Sequence, residues 1–271
     1  MSSINILSYN ICWECMANHN KAVHCNNDSC LRNVRKIISK KNYDFIGIQE
    51  GTPDNIHNLN YEAIIHKSKI RNNIRVYAIL LYNPETFKFL KTTKISGLLK
   101  DNNRLNPGRL FVGGVFKNLL NKQKYLVISL HNGHDNDLCN WLNVIKNKIN
   151  RKKIKNIDNI IIMGDFNENV NKCSPLKLLN KRIKPINKNK KTCCDFRDNN
   201  YRYLYDNIVT NMTPESFNVI TPTHFASDHL PIAASFIIES RGGGIDYEKL
   251  YLKYKKKYLK LKNSQVSNIL K

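Results

Sequence analysis

The chain has 271 residues, 24% of them charged, and a formal net charge of +23. That length can bury a core sufficient for one α/β domain plus a tail. No basic-apolar-small leader and no apolar run of about 18 residues is present, so neither secretion nor membrane spanning is expected and the expected setting is intracellular.

Short β-branched or aromatic runs, bounded by polar, Gly or Pro residues, predict the strands. In chain order these are Ile4–Tyr9, Asp44–Gln49, Tyr61–Ile65, Val76–Tyr82, Leu110–Phe116, Tyr125–Leu130, Asn159–Met163, Asp206–Val209 and Pro231–Ile238. Leu31, Val34, Ile37 and Ile38 share one face and predict a helix over Cys30–Lys41. Trp141, Leu142, Ile145 and Ile149 do the same over Asn140–Arg151, and Pro175–Lys181 is a third, shorter helical candidate. Gly97–Asn106 and Lys181–Asn200 read as loops. Strands and helices mix without a repeating βαβ period, and several strands follow one another directly. That pattern argues for an α/β fold of two largely antiparallel or mixed sheets facing each other, with helices outside.

Arg241-Gly242-Gly243-Gly244 reads as a flexible hinge. It divides a domain at 1–240 from a basic Tyr/Leu/Lys tail at 246–271, with the hinge itself at 241–245. In the tail, Tyr247, Tyr251, Tyr254, Tyr258 and Leu261 form a helical stripe with lysines on the other faces. Such a stripe suits a protein partner, self-association, docking on the domain or an anionic membrane. Residues 241–271 hold nine basic and two acidic side chains, which leaves +16 on the domain. A field of that sign favours polyanions, nucleic acid first and anionic membrane second, although part of the charge is the solvated lysine spread along the chain.

Cys12, Cys15, His19, His24, Cys25 and Cys30 are clustered, but the second pair lacks a standard zinc spacing. A structural Zn²⁺ at the Cys12/Cys15/Cys25/Cys30 region is therefore not expected. The eight cysteines are expected to be mostly reduced, and the adjacent Cys193 and Cys194 are not expected to bridge.

The chemistry sits where apolar runs stop. Asn10 closes the first strand and Glu50 the second; His131 follows Ser129-Leu130; Asp165 and Asn167 follow the run ending at Met163; Asp206 opens its strand; Asp228 and His229 precede the last. Strand ends hold side chains rigidly, as a catalytic constellation requires. Oxygen donors from Glu50, Asp165, Asp228 and the Asn10 or Asn167 amides suit Mg²⁺, or Mn²⁺, with waters completing the shell. His229 needs a partner on its far nitrogen, and Asp206 is the best candidate. Such a pair activates water or stabilises a phosphorane.

Six blocks carry a resemblance: Leu7-Ser8-Tyr9-Asn10-Ile11, Ile46-Gly47-Ile48-Gln49-Glu50, Ser129-Leu130-His131, Gly164-Asp165-Phe166-Asn167, Tyr205-Asp206-Asn207-Ile208 and Ser227-Asp228-His229-Leu230-Pro231. In this order they closely resemble the endonuclease/exonuclease/phosphatase superfamily, the deoxyribonuclease I-like enzymes. The resemblance implies a four-layer α/β/β/α sandwich with the site at one edge of the paired sheets. It implies that Glu50 and Asn10 line the metal pocket, that Asp165 orients or deprotonates water, and that Asn167 orients the phosphate. It further implies His229 as the catalytic imidazole paired with Asp206, Asp228 as a metal- or water-positioning acid, and His131 as a second histidine on the phosphate. Arg109 matches an arginine that some nucleases hold against the backbone. His134 has two readings, a substrate contact or a loop histidine with no task. The stretch Arg75-Val76-Tyr77-Ala78-Ile79 lacks the glutamate that pairs with the second histidine in one nuclease branch, which leaves the second general acid open.

The tail resembles C-terminal segments attached to many unrelated proteins of giant DNA viruses, which implies an infected-cell or virion setting. The expected function is a Mg²⁺-dependent phosphodiesterase acting on nucleic acid. The alternatives are a phosphatase or a phospholipid or inositol-phosphate phosphodiesterase of the same superfamily, or an inactive polyanion-binding module.

Overall fold

The computed structural model describes residues 2–16, 29–57, 59–68, 76–99, 109–133, 139–173, 175–194 and 201–238. Met1–Ile238 forms one compact unit. The expected hinge at 241–245 and tail at 246–271 lie outside the described residues, as do Cys25 and His134.

In chain order the elements are β1 (Ser2–Asn10), α1 (Trp13–Met16), α2 (Ser29–Ser39), β2 (Phe45–Gln49), β3 (Glu62–Lys67), β4 (Tyr77–Tyr82), β5 (Phe87–Phe89), β6 (Ile95–Leu99), β7 (Arg109–Asn118) and β8 (Lys124–His131). Then come α3 (Asn140–Arg151), β9 (Asn159–Asp165), β10 (Leu176–Leu178), β11 (Lys181–Pro185), β12 (Asp206–Thr210), β13 (Ser216–Val219) and β14 (Ile232–Ile238). One sheet has the order β13-β14-β1-β2-β4-β3; the other runs β10-β11-β12-β9-β8-β7-β5, with β6 also paired to β7. Both sheets are mixed. Each contains a parallel pair, β1 with β2 and β8 with β9, among antiparallel neighbours.

Period-two alternation assigns the layers. Ile4 and Ile6 of β1 face Val127, Ile161, Met163 and Ile208 of the other sheet, whereas Leu7 and Tyr9 turn outward to Val34 and Ile38 of α2. On the second sheet Ile160 and Ile162 of β9 pack against Trp141, Ile145 and Ile149 of α3. The four-residue apolar run of β9 is thus buried on both faces, as in the interior strands of a layered sandwich. The result is the expected four layers, α2, two sheets and α3.

Three sequence expectations are corrected. Pro175–Lys181 is not a helix: Leu176–Leu178 and Lys181–Pro185 pair as an antiparallel hairpin. Leu176, Leu178 and Ile183 turn inward at period two, and burial of that face overrides the helical preference of a lysine- and leucine-rich stretch. The same strand removes Lys181–Pro185 from the expected loop, and Ile95–Leu99 takes the start of the other. Phe87–Phe89 and Ser216–Val219 are further short strands that the sequence pattern does not single out. The described cysteines are also not thiols here. Cys12–Cys15, Cys139–Cys173 and Cys193–Cys194 are disulfide-bonded, and no described cysteine is free. Cys139 and Cys173 lie 34 positions apart, and folding brings their Cα atoms to 5.8 Å, within bridging range.

Gly164 is the residue before the key carboxylate, and its φ of +153° is open only to glycine without strain. A Cβ there would lie 1.9 Å from the Leu130 carbonyl oxygen on the paired strand. Gly164→Ala is expected to destabilise the fold by about 3 kcal/mol or more, because backbone on both sides must move. Denaturant unfolding of the purified variant checks this; a midpoint equal to the parent protein's would refute it.

Candidate active site

The registers bring the expected residues to one edge. Parallel pairing sets Asn10 beside Gln49, so Glu50 follows immediately at the same end. In the second sheet His131 pairs with Asp165 across the parallel β8–β9 ladder, and Asp165 pairs with Asp206 across the antiparallel β9–β12 ladder. β14 runs antiparallel to β1 with Ile232 opposite Ser8, which carries Asp228 and His229 to the end where Asn10 lies. β7 runs antiparallel to β8 and begins at Arg109, which lands beside His131.

Asn10 links the two sheets. Its Oδ1 accepts from the Cys12 amide at 3.0 Å, which turns its Nδ2 toward Asp165 Oδ2 at 3.0 Å and His229 Nε2 at 3.4 Å. Ser227 Oγ donates to the Asn10 carbonyl at 2.7 Å and accepts from the His229 amide at 3.1 Å, so one hydroxyl clamps the turn before β14 onto β1. Beneath them Gln49 Nε2 donates to Ser129 Oγ at 3.2 Å, a second polar tie across the sandwich.

His229 Nδ1 lies 2.8 Å from Asp206 Oδ2. Donation from Nδ1 to this buried carboxylate aims Nε2 at Asp165 Oδ2, 3.7 Å away. Burial alone lowers the His229 imidazole, but Asp206, Asp165 and Asp228 carry it up to about 10. Burial raises Asp206 against the pull of His229. The imidazole is therefore charged through neutral pH. Burial would also raise Asp165, yet His229, His131 and Arg109 outweigh it and hold this carboxyl well below the usual carboxylate range. Asp165 Oδ1 accepts from the Asn167 amide at 2.9 Å, and Asn167 Nδ2 donates to the Asn132 carbonyl at 2.7 Å. One Asn167 donor is thus spent on orienting its own loop.

Arg109 lies between Glu50 and His131. Its Nη1 sits 3.1 Å from His131 Nδ1 and 3.2 Å from Glu50 Oε1. Arginine can only donate, so His131 Nδ1 accepts and the ring proton resides on Nε2. That nitrogen lies 3.3 Å from Asp165 Oδ2 and 3.6 Å from Glu50 Oε1, near both but aligned for a hydrogen bond with neither. Burial raises Glu50, while His131, Arg109 and the Trp13 amide bring it below its ordinary value. Cys12, Glu50 and Asn167 all have φ between +50° and +60°, a left-handed backbone that non-glycine residues hold only where surrounding structure imposes it.

Asp228 is half-buried. Burial pushes it up to about 6, with Glu50, Asp165 and Asp206 adding to the effect and His229 opposing it. Glu50, Asp165 and Asp228 are hard oxygen donors, and the first two push Asp228 up by a repulsion that a divalent cation would relieve, although their oxygens are not gathered as tightly as a ligand set. Asp165, Asp206 and His229 do bring ligand atoms within 4.8 Å of one another. The donor chemistry fits Mg²⁺ or Mn²⁺.

The match to the Endonuclease/Exonuclease/phosphatase family model extends over residues 7–229 and takes in every one of these strand ends. The chain belongs to that family. Members are typically hydrolases of phosphoesters and generally depend on a divalent metal. The family fold is shared with an endonuclease/exonuclease/phosphatase from Bacteroides vulgatus, at a TM-score of 0.70 and 16% identity over 88% of this chain and 100% of that one. It is shared with D. rerio TDP2 complexed with single-strand DNA product, at 0.62 and 15% over 88% and 100%. A Bacteroides thetaiotaomicron mannosyl-6-phosphatase is similar at 0.66 and 16% over 87% and 100%. Among curated proteins none matches the chain in sequence.

Three features of this family member's site escape sequence reading. Glu168 is buried and accepts from the Cys139 amide and from Trp141 Nε1 at 2.8 Å, anchoring the start of α3 to the loop that carries Asp165 and Asn167. Cys193 and Cys194 place their sulfurs against His229 Nε2. Tyr203 and Tyr205 stack at 4.9 Å beside Asp206. No spacing in the sequence signals any of the three.

The His229 shift can be tested in the metal-free protein. With the folded pKa near 10 and the unfolded value at 6.5, the charged imidazole contributes stability that is fully present below 6.5 and lost as pH rises through 10. In Asp206→Asn the imidazole pKa falls toward neutrality, and this loss of stability moves to lower pH. An NMR titration of the His229 ring checks it; an unchanged pKa would remove Asp206 as the cause.

Proposed function

We propose that this protein is a divalent-metal-dependent phosphodiesterase that hydrolyses nucleic acid by in-line attack of water. The observation that carries the reading is the Asp206–His229 pair, with Nδ1 held at 2.8 Å and Nε2 turned to Asp165 at the mouth of the oxygen-donor set.

A phosphodiester resists attack chiefly through its own negative charge. Glu50 and Asp228 would hold the divalent cation, with Asn10 at the edge of the same pocket holding Asp165 through Nδ2, and the cation would supply neutralisation of a non-bridging phosphate oxygen. Asp165 remains ionised and accepts a hydrogen bond from the attacking water, setting its line of approach. His229 is charged before substrate arrives, so it acts as a donor to the equatorial oxygens of the phosphorane, where negative charge grows. Asp206 fixes the ring's orientation and holds its charge. On the opposite side Arg109 and the Nε2 proton of His131 bind the phosphate, and the remaining Asn167 N–H orients it.

Two observations support nucleic acid as the substrate. The charge on residues 1–240 is +16. Tyr203, 48% exposed, is stacked nearly parallel on Tyr205, whose carbonyl accepts from the Phe166 amide next to Asp165. An aromatic face at that position suits an unpaired base, and base–aromatic stacking is worth about 1–3 kcal/mol. The bound single-strand DNA product of D. rerio TDP2 is consistent with such a use of the shared fold.

Product analysis with Mg²⁺ on supercoiled plasmid, single-stranded RNA, abasic duplex, 5′-tyrosyl DNA and inositol phosphates is expected to show cleavage of a nucleic acid. Asp165→Asn is expected to lower that rate by at least about 10³-fold. Release of phosphate from the small substrates alone would move the protein to the phosphatase branch, and activity surviving in Asp165→Asn would overturn the site. Tyr203→Ala is expected to raise KM for single-stranded substrate about tenfold while changing kcat little; an unchanged KM would remove the stacking role.

A further inference from the structure

We infer that Cys193 and Cys194, when reduced, form with His229 a site for a soft divalent cation of the Zn²⁺ class, and that its occupation takes the catalytic imidazole out of use. The inference rests on the reading of His229 given above. It begins with convergence: Cys193 Sγ lies 3.2 Å and Cys194 Sγ 3.6 Å from His229 Nε2. All three ligand atoms fall within 4.8 Å of one another. In a tetrahedral site with Zn–S near 2.3 Å and Zn–N near 2.0–2.1 Å, the sulfur-to-nitrogen edge is about 3.6 Å. The two sulfur-to-nitrogen separations are close to that edge before any ion is present, while the two sulfurs, bonded to each other as they stand, must part to about 3.8 Å on reduction.

The second nitrogen of the ring strengthens the case. A metal-binding histidine commonly donates its other N–H to a carboxylate, which fixes the tautomer and makes the free nitrogen a better donor. Asp206 does this at Nδ1. Asp165 Oδ2, 3.7 Å from Nε2, adds negative charge beside the ring nitrogen.

The cysteines are not on a loose loop. The Cys193 amide donates to the Tyr203 carbonyl at 3.1 Å, the Tyr203 amide returns to the Cys193 carbonyl at 2.7 Å, and the Leu230 amide donates to the Thr192 carbonyl at 2.8 Å. These bonds pin the pair to the segment entering β14. Thiolates select Zn²⁺ over Mg²⁺, so the site does not compete for the hard cation of the oxygen pocket.

In the structure the two sulfurs are bonded to each other. A dithiol reductant cleaves that bond, giving two thiols here and a disulfide on the reductant. Zn²⁺ then replaces the two thiol protons and the Nε2 proton. The oxidised pair leaves His229 to the phosphate; the reduced, zinc-loaded pair does not.

Cobalt is the probe. Reduced, metal-free protein given one equivalent of Co²⁺ is expected to show a thiolate-to-cobalt charge-transfer band, which Zn²⁺ abolishes by displacement. The same Zn²⁺ addition should lower Mg²⁺-supported turnover by about 10²-fold or more, reversed by a zinc chelator and not by excess Mg²⁺. Cys193→Ser and Cys194→Ser, each compared with its own zinc-free rate, should lose both the band and the inhibition, whereas Cys15→Ser should keep both. Absence of the band, its persistence in the Cys193 and Cys194 variants, or a band without inhibition would overturn the inference. A protein that binds cobalt as described but turns over no phosphoester even without zinc would overturn the phosphodiesterase reading instead.

Discussion

Face-to-face packing of two sheets, each with a parallel pair at its heart, is the constraint on which the molecule depends. Parallel neighbours end together. Once β1 and β2 lie over β8 and β9, four carboxyl-terminal strand ends meet at one rim. The apolar layer between them, with Ile4, Ile6, Val127, Ile161 and Met163, is dry and closely packed. Polar groups are excluded from it and collect where it stops. The bonds from Asn10 to Asp165 and from Gln49 to Ser129 then tie the rim across both sheets, so the positions of the reacting groups are set by core packing as much as by their own contacts.

Asp165 is the electrostatic centre of that rim. It is 1% exposed and remains ionised because two imidazoles and Arg109 surround it. In return it helps keep His229 charged. Removing either partner leaves the other as an uncompensated buried charge, which makes the pair a unit rather than two independent residues. Arg109 has a comparable double function, closing the ring through Glu50 while fixing which nitrogen of His131 carries its proton. The same convergence explains why soft donors placed against Nε2 matter: the nitrogen offered to a phosphate is also offered to a cation.

The central strands and the two long helices were legible because their apolar patterns are long and regular, as in Ile160–Met163 and in Trp141, Leu142, Ile145 and Ile149. The edge elements were not. Leu176–Leu178 and Lys181–Pro185 are a few residues each and rich in lysine, and only the face they bury makes them strands. Ile95–Leu99 escaped notice because Gly97 interrupts its inward row. The site residues were legible by a different route: Asn10, Glu50, His131, Asp165 and His229 each end or adjoin an apolar run, where a polar residue is conspicuous. Arg109 could be named from the sequence, but its grip on His131 could not, because the two lie 22 positions apart on antiparallel strands.

By itself the sequence determined the alternation that makes two-faced strands, the apolar stripes that make α2 and α3 cover them, and the inventory of acids, amides and imidazoles available at strand ends. These are local properties, written in neighbouring residues. The tertiary structure alone decided which atom faces which: Asn10 Nδ2 to Asp165 across 155 positions, Nδ1 of His229 to Asp206, and the sulfurs of Cys193 and Cys194 to Nε2. Hydrogen bonding, ligation and charge coupling act over a few ångströms and are directional, so they depend on registers and packing that no stretch of chain contains.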